Sequence, residues 1–300
     1  MTKHGVTIAI VGGICALALA APATPASAAT AYLSLTGSGS ICSIAAPCND
    51  MGPALAVAGP NGEIICLDKG NYGGPGIAQS VTISCGDGLW EALANPVTIF
   101  KGEVVIEGLV VDLQGGGGTG LSLVQGTLHL RRVRIGNSSG NGSHGLLFEP
   151  NGPATLHISD SVFYNNGGAG IYIKPASGVL ADVYINRTQI EKNGFGITAD
   201  GSSGGLIGGV VRDSVVSGNP NNGITTYSTG TSITLVIQNS TIAGNGYGLA
   251  AAGPQGAMFV TRSAINYNGA GVFGAIYSYG DNSLLANGAD GAFAATIGLR

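Results

Sequence analysis

Four residues suited to acid–base work or to contact with a sugar fall at one repeated offset. Glu149, Lys174, Asp200 and Tyr227 each stand four residues after a glycine that precedes an apolar residue: Gly145-Leu146, Gly170-Ile171, Gly196-Ile197 and Gly223-Ile224. Two residues earlier in the same frame runs the series Ser122, Leu147, Tyr172, Thr198, Thr225, Ala250, Phe273. Carboxylate, ammonium and carboxylate in line are groups that proton transfer at a glycosidic bond can use. Tyr172, with Tyr227 further along, offers an apolar ring face and a polar tip to a glycan. If successive frames stack one strand spacing apart, Glu149 and Asp200 lie about 9.6 Å from each other, at the edge of the separation that inverting glycosidases use. Lys174 between them would hold both carboxylates ionised, leaving no acid with a raised pKa. The competing reading, favoured because charged residues are usual on exposed edges, is a solvated salt-bridged row.

Two further constellations deserve the same weighing. His129, His157 and Tyr184 share a frame, so two imidazoles on neighbouring units could share a proton or a metal. Two histidines without an adjacent carboxylate are an incomplete zinc set, and neither metal nor cofactor is expected. Arg132, Asp160, Arg187, Asp213, Asn239 and Arg262 form another frame. An anion-binding stripe is one reading of it; charge complementarity that fixes register is the better one, because the acids neutralise the stripe. Gly115 to Gly118 has no strand leading into a helix around it and reads as a loop.

The frames come from an internal repeat. Ile158–Asn166, Ile185–Asn193, Val211–Asn219, Ile237–Asn245 and Val260–Asn268 align, and each is followed by its Gly-plus-apolar pair. From Gly120 to Gly271 those glycines are 25, 25, 26, 27, 25 and 23 residues apart. Within a unit, apolar residues alternate over short stretches broken by Gly, Asn and Asp, which is the pattern of strands and turns. Three short strands per unit make one turn of a parallel coil. Positions 130, 158, 185, 211, 237 and 260 then point inward, as do 135, 163, 190, 216, 242 and 265. Ser161, Thr188, Ser214, Ser240 and Ser263 form a hydroxyl column, and Asn166, Asn193, Asn219, Asn245 and Asn268 an amide column able to donate and accept between neighbours. Repetition along a whole stack is what packing demands, so both columns are read as structural. Leucine-rich repeats need leucines this chain lacks, and helical arrays need a 3.6-residue period.

Composition agrees. Of 300 residues, 53 are glycine, 9% are charged and 44% are hydrophobic. That is too apolar for a disordered chain, and the glycines keep no collagen period. A net charge of −4 leaves no basic footprint for nucleic acid.

These units resemble the generic repeat of the parallel β-helix proteins of the pectate-lyase-like superfamily, roughly Ile-x-Asn/Asp-Ser-x-Ile-x-x-Asn…Gly-Ile. The resemblance implies an all-β, right-handed parallel β-helix with a short N-terminal cap. More closely, Ile41-Cys42 to Pro47-Cys48, Gly62–Gly70, Ser80–Cys85 and Ile297–Arg300 make the chain similar to a group of exported bacterial β-helix proteins, over essentially its whole mature length. In enzymes of the superfamily the sugar polymer lies along the strand that follows each Gly, which is where Glu149, Lys174 and Asp200 fall. His144, in Ser143-His-Gly145, resembles the Gly-His-Gly element of polygalacturonases, but the rest of that pattern is missing. So are a clustered acidic calcium site of the pectate lyase kind and the Asp-Pro-His of alginate epimerases.

Residues 1–28 read as an export signal: Lys3 and His4, an apolar run from Val6 to Ala21, then Ala26-Ser27-Ala28. Residues 29–62 are expected to form the cap, with a short helix near Met51–Ala58, and 63–300 the β-helix. Cys42, Cys48, Cys66 and Cys85 follow an export signal and are even in number, so disulfides are expected. Three pairings exist; Cys42–Cys48 with Cys66–Cys85 closes the shortest loops and is favoured. No later run of 18 apolar residues suggests a membrane span. Two functions remain. One is an exported, non-catalytic envelope or surface protein, secreted or periplasmic, whose partner is a polysaccharide or cell-surface glycan. The other is a polysaccharide lyase or glycoside hydrolase working along Glu149, Lys174 and Asp200.

Overall fold

The computed structural model describes residues 28–298, apart from Asp87 and Asn95. The expected export signal therefore lies outside the described residues except for Ala28, as do Leu299 and Arg300 of the C-terminal motif.

Alternation decides the fold. Along Ala154–Ser159 every second side chain is buried, and the same alternation runs through Gly62–Cys66 and Ile233–Gln238. Such strands bury one face, so they need a partner on each edge and a filled interior. The chain supplies both by winding into a parallel β-solenoid of about eight turns. Among the described residues three parallel sheets run its length. Sheet 1 has twelve strands, beginning with Thr30–Leu33 and Gly62–Cys66; sheet 2 has ten, from Gly70–Asn71 to Ser283–Leu285; sheet 3 has nine, from Gly76–Ile77 to Ala270–Gly274. Each strand pairs with its equivalent one turn away, for example Leu156 with Val183 in sheet 1 and Ile171 with Ile197 in sheet 3. The expected inward positions are all in the core: Leu130, Ile158, Ile185, Val211, Ile237 and Val260 in sheet 1, and Ile135, Phe163, Ile190, Val216, Ile242 and Ile265 in sheet 2.

Corners are fixed by backbone conformation. The sheet 1 to sheet 2 corner is one residue in the left-handed region: Arg132, Asp160, Arg187, Asp213, Asn239 and Arg262, with φ from 45° to 52°. In the earlier turns glycine holds this place, and at Gly108 (φ 81°) a Cβ would sit 1.3 Å from the Gly86 carbonyl oxygen. The frame read from sequence as charge complementarity is therefore first a turn column, held where most L-residues are disfavoured. Its charges do pair along the stack, but not in simple alternation. Arg187 binds Asp160 at 2.6 and 2.8 Å, Asn239 binds Asp213, and Arg132 turns back to Glu107 of the preceding turn.

The two expected polar columns form ladders. Each Ser or Thr hydroxyl in the column donates to the carbonyl two residues earlier and, for Ser214, accepts the backbone N–H of Thr188 at 3.1 Å. From Asn193 onward each Asn amide oxygen takes both the backbone N–H and the amide N–H of the Asn one turn before it, and the Asn nitrogens also donate to carbonyls, as Asn193 to Phe163 and Asn219 to Ile190. The ladder starts on Ser138 and ends on Asn287, which is held by Asp290. Buried amides are tolerated there because their donors and acceptors are met.

At the N-terminal end helix α1 spans Met51–Ala58, capped by Asp50 and ended by Gly59 at φ 65°. Met51, Ala54, Leu55 and Ala58 are buried against the first strands of sheet 1. Disulfides join Cys42 to Cys48 and Cys66 to Cys85. They point to an oxidising, extracytoplasmic compartment. Among the described residues no helix is long and apolar enough to cross a membrane.

Candidate functional site

Register places the acid–base row where the glycine spacing puts it. In sheet 3, Ser122, Leu147, Tyr172, Thr198, Thr225, Ala250 and Phe273 are successive partners. Two residues on, Asp200 pairs with Tyr227, and Lys174 donates its backbone N–H to Phe148, beside Glu149. The glycine at the second position of each strand is forced: at Gly170, Gly196 and Gly223 a Cβ would run into the next turn's carbonyl and the Asn ladder.

Three of these side chains form one cluster. Tyr172 donates its hydroxyl to Asp200 Oδ2 at 2.7 Å, and Lys174 Nζ lies 3.2 Å from the same oxygen. The other carboxylate oxygen, Oδ1, accepts the Ser202 backbone N–H at 2.8 Å. Asp200 is 8% exposed. Burial works to raise its pKa, but the bonds from Ser202, Tyr172 and Lys174 outweigh it and hold the carboxyl below its usual range. Burial first, then the Asp200 carboxylate, pushes the Tyr172 hydroxyl above its ordinary value. Asp200 is thus a fixed anion, with a cation and a phenol bound to it.

Sequence reasoning singled out His144 only for its Ser143-His-Gly145 context and did not join it to Tyr172. It comes from the loop one turn before, and its ring stacks on Tyr172 with centroids 4.6 Å apart and planes within 10°. His144 Nδ1 accepts the Ala169 backbone N–H at 2.9 Å. Burial lowers its pKa, so the ring is neutral at neutral pH and carries its proton on Nε2. One face of Tyr172 is therefore already covered; the other looks toward Thr198, whose hydroxyl oxygen has no hydrogen-bond partner. The repeat frame puts residue 144 just before Gly145, one turn before Ala169, but it does not say that the imidazole turns over the ring of Tyr172. Tyr227 extends the row and is 45% exposed.

The second constellation is assembled on the outer face of sheet 1. His129, His157 and Tyr184 are register partners, stacked at 4.6 and 4.9 Å with planes 3° and 10° apart. Burial is the main cause that lowers both histidine pKa values, opposed at His129 by Glu103 3.7 Å away. The two rings meet face to face rather than converging lone pairs on one point. Among the described residues no group of three or more His, Cys, Asp or Glu side chains is placed to hold a metal ion.

No protein-family model matches the chain, and no curated protein matches it. Among solved structures it is similar to pectate lyase Pel9A, with a TM-score of 0.49 and 17% identity over 85% of this chain and 72% of that one. At that identity the likeness carries no residue's role across.

Proposed function

We propose that this chain is an exported, non-catalytic β-helix protein of the cell envelope or surface that binds glycans along the outer face of sheet 3. The observation that supports this is the Tyr172–Asp200–Lys174 cluster. Its groups are hydrogen-bonded to one another in a fixed row, which suits recognition of hydroxyls at low ordering cost. They suit proton transfer poorly. A general acid at a glycosidic bond needs a carboxyl with a raised pKa, whereas Asp200 is held ionised. Lys174 is engaged with that carboxylate, 3.2 Å from its Oδ2. Glu149 and Tyr227 lengthen the row to four turns, about 14 Å along the axis.

The test is a glycan array on protein beginning at residue 29, followed by titration with each hit, beside assays for reducing ends and unsaturated products. Binding that weakens in Asp200→Ala and Lys174→Ala, without turnover, supports the reading. Cleavage lost in both Glu149→Gln and Asp200→Asn, with folding intact, would replace it with a carbohydrate-active enzyme.

A further inference from the structure

The aromatic ladder on sheet 1 stops at an open step. Its outward column runs His129, His157, Tyr184, Val210, Val236, Phe259, Tyr277. Rings stack from 129 to 184 and again from 259 to 277, where the centroids are 5.2 Å apart. Between them the column holds two valines. The free face of Tyr184, 45% exposed, thus looks along the axis over a floor of Val210, with Gly208 beside it. A groove of about 620 Å³ runs along this side of the column from His129 and Arg131, past Tyr184 and the step at Val210, to Arg212 and Gln238.

The rims of the step carry opposite charges. On one side stands Arg212, exposed, two residues after Val210. Asn186 and Gln238 flank it one turn below and above, and Asn186 Oδ1 has no hydrogen-bond donor. Asp182 stands on the other side of Val210, beyond the lining of that groove, with its Oδ1 3.4 Å from where a Cβ on Gly208 would be. From the Asp182 position to the Arg212 position is four residues along the strand direction, about 13 Å.

We propose that this step binds a hydroxylated aromatic carboxylate. Its ring extends the stack on Tyr184 and stands edge-on over Val210; its carboxylate pairs with the Arg212 guanidinium, and a hydroxyl opposite donates to Asp182. A six-membered ring with para substituents presents its two polar groups in opposite directions, one toward each side of Val210. Arg suits a planar carboxylate because its donors form a fixed fork. The valine floor decides between an aromatic ring and a sugar. A pyranose standing on edge presses a hydroxyl onto Val210 and leaves it without a partner, whereas an aromatic ring presents C–H there. This site is separate from the sheet 3 row and does not depend on it.

The experiment is titration of protein beginning at residue 29 with 4-hydroxybenzoate, followed by calorimetry or ligand-observed NMR. A ligand of this size on an open surface is expected to bind with Kd on the order of 1 mM. Arg212→Gln is expected to weaken binding about tenfold. Val210→Phe fills the step with the protein's own ring and is expected to abolish binding while leaving the thermal midpoint at or above that of the wild type. Asp200→Asn, on sheet 3, leaves the affinity unchanged. Absence of binding at ten times the expected Kd, equal affinity for galacturonate, or binding untouched by Arg212→Gln and Val210→Phe in folded protein would each overturn the proposal.

Discussion

Replacing Asp200 tests the energetics and the function of the sheet 3 cluster at once. The carboxylate accepts three hydrogen bonds, from Tyr172, Lys174 and Ser202, at 2.7, 3.2 and 2.8 Å. A charge-assisted bond contributes about 1.5–3 kcal/mol when fully buried. Tyr172 and Lys174 are only partly buried and find water once released, so most of their share is recovered. Asp200→Ala is then expected to cost about 2–3 kcal/mol, and Asp200→Asn, which keeps one acceptor oxygen and loses the charge, about 1–2 kcal/mol. The pH dependence carries the sign. Asp200 is lowered in the folded state, so its contribution is present above the unfolded carboxyl pKa near 3.9 and is lost as pH falls through the folded value. Urea unfolding at pH 7 and at pH 3 measures this: the gap between wild type and Asp200→Asn should narrow at the lower pH. A gap that is constant with pH, or an Asp200→Ala cost below about 0.5 kcal/mol, would refute the account of a fixed, ion-paired carboxylate.

Asn219→Ala should be among the costliest polar substitutions. It strips the acceptor from the Asn193 N–H and the donor from the Ile190 carbonyl, both buried, and about 2–5 kcal/mol is expected in urea unfolding. The same change at Asn287, at the partly exposed end of the ladder, should cost about 1 kcal/mol; equal costs would argue against the ladder as the source. Gly108→Ala combines φ of 81° with a Cβ placed inside the Gly86 carbonyl, so expression of folded protein should collapse; a thermal midpoint within a few degrees of wild type would show that the corner can shift. Reduction should remove about 2 kcal/mol for the six-residue Cys42–Cys48 separation and about 3 kcal/mol for the nineteen-residue Cys66–Cys85 separation, read from single Cys-pair→Ser variants, and the reverse order would contradict the loop-entropy origin.

A repeat of 23 to 27 residues with apolar alternation and fixed Gly and Asn positions was enough to specify the solenoid. Each turn can bury its inner face and pair its edges only by lying in register on its neighbours, so one-dimensional periodicity becomes three-dimensional structure directly. The inward columns, the two ladders and the register of the row from Glu149 to Tyr227 were legible for that reason, whereas the helix at Met51–Ala58 was expected as the cap that an open coil end needs. What the sequence could not determine lies in the residues between repeats and in backbone conformation. The corner column reads as a charge pattern until its φ angles are known, since Arg, Asp and Asn in sequence do not announce a left-handed turn. His144 stands just before the repeat glycine Gly145, so its backbone is in frame, but that its ring covers Tyr172 is a matter of side-chain direction, which the repeat does not encode. The stack at His129, His157 and Tyr184 follows from register, but the step beyond Tyr184 exists only because two short side chains interrupt a column of rings on an exposed face. Sequence settles what must repeat; tertiary structure decides what the interruptions of the repeat place side by side.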